Sequence, residues 1–153
     1  MSSNKTPSKS INRKKEEFID VAQQVNPFFN EEGVNLNFNG YIKTLNEYVN
    51  CTEYDLETLD TLICDLNLWE EYFGELEGVV ENLKLRYENK DLYLKGFAIV
   101  PKIEKELILN KYKIDKTKLF LKHVKIQKNL FNRLHYHCFK MYNDACEHYL
   151  YRY

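Results

Sequence analysis

Residues 52–81 read TEYDLETLDTLICDLNLWEEYFGELEGVVE, and this stretch decides the fold class. Leu56, Leu59, Ile63, Leu66, Trp69, Phe73, Leu76 and Val80 recur in steps of three and four, the period of one face of an α-helix. Thr52 and Asp55 resemble a capping box at its start. The helix should be amphipathic, with an acidic outer face carrying Asp65, Glu70, Glu71, Glu75 and Glu77. Acids in the first turn suit the positive end of the helix dipole. Those in later turns find no internal cation four residues on, so compensating charge must come from elsewhere in the fold or from a partner.

Upstream, residues 1–10 (MSSNKTPSKS) are small, polar and basic, and are expected to form a disordered arm. Ser10 can cap a helix from Ile11 to about Val25, with Asn26-Pro27 ending it. Val34, Leu36 and Phe38 alternate with Asn and suit either a short strand or a loop folded back on the core. Tyr41, Ile42, Leu45 and Val49 suggest a short helix. Downstream, Leu83, Leu85 and Tyr87, then Glu88-Asn89-Lys90-Asp91, then Leu92, Tyr93 and Leu94 suit a small central β-hairpin over residues 83–97. A helix continuing to about Lys95 is the rival reading. Pro101 suits the first turn of a short helix bearing Ile103, Leu107 and Ile108. Asp115 can cap a long last helix from Lys116 to about Leu150. Its stripe runs Phe120, Val124, Phe131, Leu134, Cys138, Met141 and Ala145, with Gln127 at one seam position, and would build the core or a subunit seam.

The fold class expected is therefore mainly α: one helical domain over residues 11–153, with the hairpin in its middle and the long helix at its end. Composition agrees. The 153 residues are 44% hydrophobic and 14% aromatic, with five Gly and three Pro, so helix breakers are few. No run approaches the ~18 apolar residues of a membrane span, and Met1–Ser10 lacks the apolar stretch of a secretory signal. The expectation is a cytoplasmic protein that does not enter a membrane, with Cys51, Cys64, Cys138 and Cys146 as reduced thiols.

Net charge is only −1, yet the charges are sorted. Glu53 to Glu81 holds ten acids and no Lys or Arg; Lys84 to Lys140 holds fifteen bases against five acids. Residues 1–15 add five bases and no acid. Lys116, Lys118, Lys122, Lys125, Lys128 and Arg133 are the candidate phosphate contacts, because neutralising phosphates releases counterions and yields affinity without sequence readout. A solvated face that balances the acidic helix is the competing reading, and it stays open at this level.

Catalysis has little to stand on. His135, His137, Cys138, Cys146 and His148 are zinc-ligand types, but on one helix Cys146 lies about 12 Å beyond Cys138. There is no CxxC pair, HExxH, P-loop, GxGxxG or GxSxG pattern. Cys138 near His135 lacks a converging base and orienting group. No metal, no cofactor and no catalytic residue is expected.

Thr52-x-x-Asp55 followed by Leu59, Cys64, Trp69, Tyr72 and Gly78 resembles part of the P27-type phage terminase small subunits. Residues 83–118 can stand for the extended segment, Pro-led helix and basic tail that follow in that family. The chain departs from it at Ile114-Asp115-Lys116-Thr117, where a Gly-Leu-Thr-Pro-like turn is absent, and in the length of the last helix. The resemblance implies a non-enzymatic, homo-oligomeric DNA-recognition subunit of a packaging motor in the cytoplasm of a host cell. The alternative is a protein-binding module, either a virion component or an acidic DNA mimic that occupies a defence protein through the face of residues 53–81.

Overall fold

In the computed structural model, which describes residues 5–97 and 99–152, four α-helices account for the regular structure: α1 (Lys5–Glu31), α2 (Asn39–Asn50), α3 (Leu56–Lys95) and α4 (Pro101–Arg152). No strand occurs among the described residues. The mainly α expectation holds, and the hairpin over residues 83–97 is corrected to the second half of α3. Val80, Leu83, Tyr87 and Leu94 are buried at helical spacing, while Leu85 between them is exposed. The apparent alternation was two members of a buried stripe flanking an outward leucine. No Gly or Pro interrupts the chain from Val79 to Lys95, and Asp91 pairs with Lys95 one turn on at 2.8 Å.

The other boundaries moved for similar reasons. The expected arm lies outside the described residues at positions 1–4, and α1 begins already at Lys5. It also runs through Pro27, which costs a backbone hydrogen bond but leaves Phe28 and Phe29 buried. The helix stops instead at Gly33, whose φ of 78° is left-handed, with the Val34 N–H donating back to the Phe29 carbonyl at 2.9 Å. Val34, Leu36 and Phe38 are half-buried in a loop, the second of the two readings for that stretch. Asp55, not Thr52, caps α3: its carboxylate accepts from the backbone N–H and the hydroxyl of Thr58. Those two bonds hold the Asp55 carboxyl below its ordinary range. Pro101 does open a helix, as expected of a residue without an N–H, but α4 passes straight through Asp115. Buried Asn110, Ile114, Thr117 and Leu121 keep one stripe on the core side throughout.

The chain packs into two compact units. The first takes the N-terminal residues through Lys15, Asn37–Gly74, and the chain from Ile126. In its centre Tyr41 is fully buried, edge-on to Trp69 and Phe73 and tilted against Phe131, with centroids 5.6–6.0 Å away. The Tyr41 hydroxyl donates to Gln127 Oε1 at 2.7 Å, and Gln127 Nε2 donates to the Lys14 carbonyl at 3.2 Å. Gln127, the polar seam residue, is thus buried and satisfied on both sides of its amide, which removes the penalty for its burial. Burial pushes the Tyr41 phenol far above its ordinary pKa.

The second unit comprises Glu16–Leu36 and Glu75–Lys125. Phe18 stacks on Phe120 at 5.5 Å, Phe29 meets Phe120 edge-on at 5.4 Å, and Phe28 meets Tyr87 at 6.2 Å. The Asn110 amide donates to the Tyr87 carbonyl at 2.8 Å. Each fully buried aromatic or aliphatic side chain in either core is worth roughly 1.5–3 kcal/mol of transfer free energy. The stripe from Phe120 to Ala145 lies in these cores: Phe120, Val124, Phe131, Leu134, Cys138 and Ala145 are all buried within the chain itself.

Candidate nucleic-acid interface

α4 positions the basic side chains, and its register sorts them. In the second unit Lys111, Lys118, Lys122 and Lys125 recur at intervals of seven, four and three, so they share the outward face. All four are exposed. Lys125 comes within 3.8 Å of Glu81, whereas Lys111, Lys118 and Lys122 make no ion pair among the described residues. Glu104 and Asp115 share that face, and Glu88 and Asp91 of α3 line a groove beside Lys111 and Lys118.

Two other lysines of the unit turn away. Lys116 Nζ donates to Gln24 Oε1 at 2.7 Å and lies over the Tyr112 ring at 5.7 Å. Lys113 lies over the Tyr87 ring at 5.8 Å and 4.0 Å from Glu31. Lys116 is therefore a structural contact of α1 rather than a member of the outer stripe. His123 beside Lys122 is held below the ordinary His range, chiefly by burial, with Glu17 opposing and Lys122 adding to the shift.

In the first unit Lys128 and Arg133 are exposed on α4. Arg133 has basic company that spacing did not reveal. The Lys14 ammonium is held below its ordinary pKa by burial first, then by Arg133 and by Arg13. Arg13 and Lys14 of α1 and Arg133 of α4 are thus near enough to one another for their charges to interact.

The acidic residues split as well. Glu71 and Glu75 are exposed on the outer face of α3, and Asp65 and Glu77 are half-buried. Glu70 does not face solvent. It turns toward α4, accepting from Asn132 Nδ2 at 2.8 Å, with His135 Nδ1 at 3.6 Å from its other oxygen. In the second unit Arg86 bonds Glu32.

Cys138 and His137 are both engaged within the first unit. Burial first, then Cys51, pushes the Cys138 thiol up to about 12, away from thiolate chemistry. His137 Nδ1 is 2.8 Å from the Tyr48 hydroxyl. Among the described residues no three His, Cys, Asp or Glu side chains converge as metal ligands. Two open grooves stand out. One of about 550 Å³ in the first unit is lined by α2 and the start of α3, including Lys43, Glu47 and Cys51. The other, about 580 Å³ in the second unit, lies between α3 and α4 over Leu92, Leu107 and Ile108.

Lys111 belongs to the basic run of the sequence but was not among the phosphate contacts expected from it. Its signal was present, seven positions before Lys118, but a helix supposed to start at Lys116 left Lys111 outside the register. No helix among the described residues is long and apolar enough to cross a membrane. Set against known proteins, the chain matches no family model, no curated protein and no solved structure.

Proposed function

We propose that the chain is a non-enzymatic nucleic-acid-binding protein that grips the phosphate backbone through the outer stripe of α4. Lys111, Lys118, Lys122 and Lys125 are the contacts in this reading, and the basic gathering around Arg133 is a second one. The observation that carries it is the exposure of Lys111, Lys118 and Lys122 on one face with no ion pair among the described residues. Lys113 and Lys116 balance charge or pack within the fold, so internal compensation accounts for part of the basic half and leaves this stripe over, with Lys125 near Glu81 at its end. The resemblance to P27-type terminase small subunits agrees with the reading and makes the DNA-recognition role in a packaging motor its specific form.

The test is binding of a labelled DNA duplex over a series of salt concentrations. Four phosphate contacts predict a log–log slope of about −3 to −4. The variant Lys111→Glu with Lys118→Glu and Lys122→Glu should lose binding at least tenfold while keeping its helical signal. A salt-independent signal, or unchanged affinity in that variant, sinks the proposal.

A protein-binding role is the second reading. It is favoured by Leu68, 61% exposed, beside exposed Glu71 on α3 of the first unit. An acidic face around an open leucine suits a basic, partly apolar protein surface. Capture of one defined protein by the native chain but not by the Leu68→Lys, Glu71→Lys variant would favour it.

A further inference from the structure

The second unit ends in a helical hairpin formed by the last turns of α3, the turn after Lys95, and the first turns of α4. A helix pair in water should turn polar residues outward wherever nothing covers it. This hairpin does the opposite. Leu92 is 70% exposed, Tyr93 69%, Ile99 98% and Ile108 71%, and Phe97 and Tyr112 are about half open. Leu92 and Ile108 flank the groove of about 580 Å³, which has Leu107 and Ile114 in its floor.

Three observations identify what covers it. The first is area. The open fractions of these six residues together present roughly 800 Å², above the ~300–600 Å² of the largest patch on an ordinary monomer. That is comparable to the roughly 800 Å² each partner contributes to a stable interface. The second is charge. Residues 88–115 carry six bases and five acids, so a partner of single sign, such as a nucleic acid or an anionic membrane, gains little there. A surface with the same mixture is complementary: exposed Glu104 and Lys105 stand four and three positions before Ile108, on its side of α4. A twofold pairing can set the lysine of one copy opposite the glutamate of the other. The third is that the stripe from Phe120 to Ala145, the other candidate seam, is buried within the chain.

We infer that this apolar hairpin end is a self-association surface, covered in solution by the same end of a second copy of the chain. The surface adjoins the lysine stripe, since Lys111 and Lys118 stand on the rim of the groove, but it does not rest on the nucleic-acid reading. Without DNA and at high salt the dimer persists, because apolar burial and not phosphate neutralisation holds it.

The test is the molar mass of the full chain in high salt without DNA, measured by sedimentation equilibrium from micromolar to submillimolar concentration. The native chain should reach twice the 18.4 kDa of one copy. Leu92→Asp with Ile108→Asp should weaken the dimer at least tenfold with unchanged helical content, because both side chains are mostly outside the core. Ile99→Asp, in the turn, provides an independent variant with the same expected loss. The Lys105→Glu protein should dimerise poorly alone and recover when mixed with the Glu104→Lys protein. A single-chain mass for the native protein at every concentration overturns the inference. So does that mass with flotation on phosphatidylcholine vesicles, which would assign the end to a lipid surface. Folded Asp variants that keep the native dimer overturn it equally.

Discussion

The two units are built from the same three long helices, yet they treat their polar and apolar groups differently. In the first unit the central groups are answered from within. Tyr41 is ringed by Trp69, Phe73 and Phe131, and its hydroxyl finds Gln127, which finds the Lys14 carbonyl. In the second unit Phe18, Phe29 and Phe120 close a core of similar kind, but the apolar hairpin end is exposed and Lys111, Lys118 and Lys122 make no ion pair among the described residues. The contrast lies between a buried polar network at the centre of one unit and open apolar and cationic groups on the other.

The largest effect expected from breaking this contrast lies in the cores. Phe73→Ala and Phe120→Ala should each cost roughly 3–5 kcal/mol in denaturant unfolding, because each empties a fully buried aromatic site. A cost under about 1 kcal/mol at either position would mean that unit is not packed as described.

Next comes Gln127→Leu, which tests self-satisfaction in the first unit. The swap keeps bulk but strands the buried Tyr41 hydroxyl, at about 1–3 kcal/mol. Tyr41→Phe in the same background should recover part of that loss. No recovery would show that the bond between the two side chains does not matter.

Each unit also holds a titrating tyrosine. Burial, followed by Cys138 and Cys51, raises the Tyr48 phenol from 10.0 to about 12. In the second unit burial and Glu32, partly offset by Arg86, raise Tyr87 from 10.0 to about 12. Both folded-state values lie above the unfolded one, so the neutral phenol is favoured by folding. Their contribution is intact below pH 10 and is lost as pH rises from 10 to 12. Thermal melts across that window should decline steeply, and Tyr48→Phe with Tyr87→Phe should flatten the decline.

The smallest effect belongs to the open surface. Lys118→Ala with Lys122→Ala should change stability by no more than about 0.5 kcal/mol while weakening DNA binding. A large stability loss would place these lysines in the scaffold and erase the contrast between the units.

The sequence made the stripe from Leu56 to Val80 readable because steps of three and four admit only a helix. Element ends were less readable, since local signals lost to packing. Pro27 failed to stop α1 because Phe28 and Phe29 still had a core to enter. Leu83, Leu85 and Tyr87 imitated a strand because a helix can place two stripe members on either side of an outward leucine. At the candidate site, the shared face of Lys118, Lys122 and Lys125 follows from spacing alone. The inward turn of Lys116 does not, because it depends on Gln24, ninety-two positions away. The apolar end was hidden for another reason. The sequence grouped Ile108 with Ile103 and Leu107 on one short helix, and only the fold shows that Ile108 stands 71% exposed.

Trp69 is the chain's single tryptophan. Its indole lies so close to Gly40 that a Cβ there would come within 3.0 Å of the ring, and Tyr72 stands at 5.1 Å. The protein therefore carries a native optical probe confined to the first unit. Indole emission reports the melting of that unit, with neighbouring tyrosines as antennae, while the second unit contributes no tryptophan signal. Comparing this fluorescence with far-ultraviolet dichroism, which sees all four helices, separates the two halves of the molecule without any label.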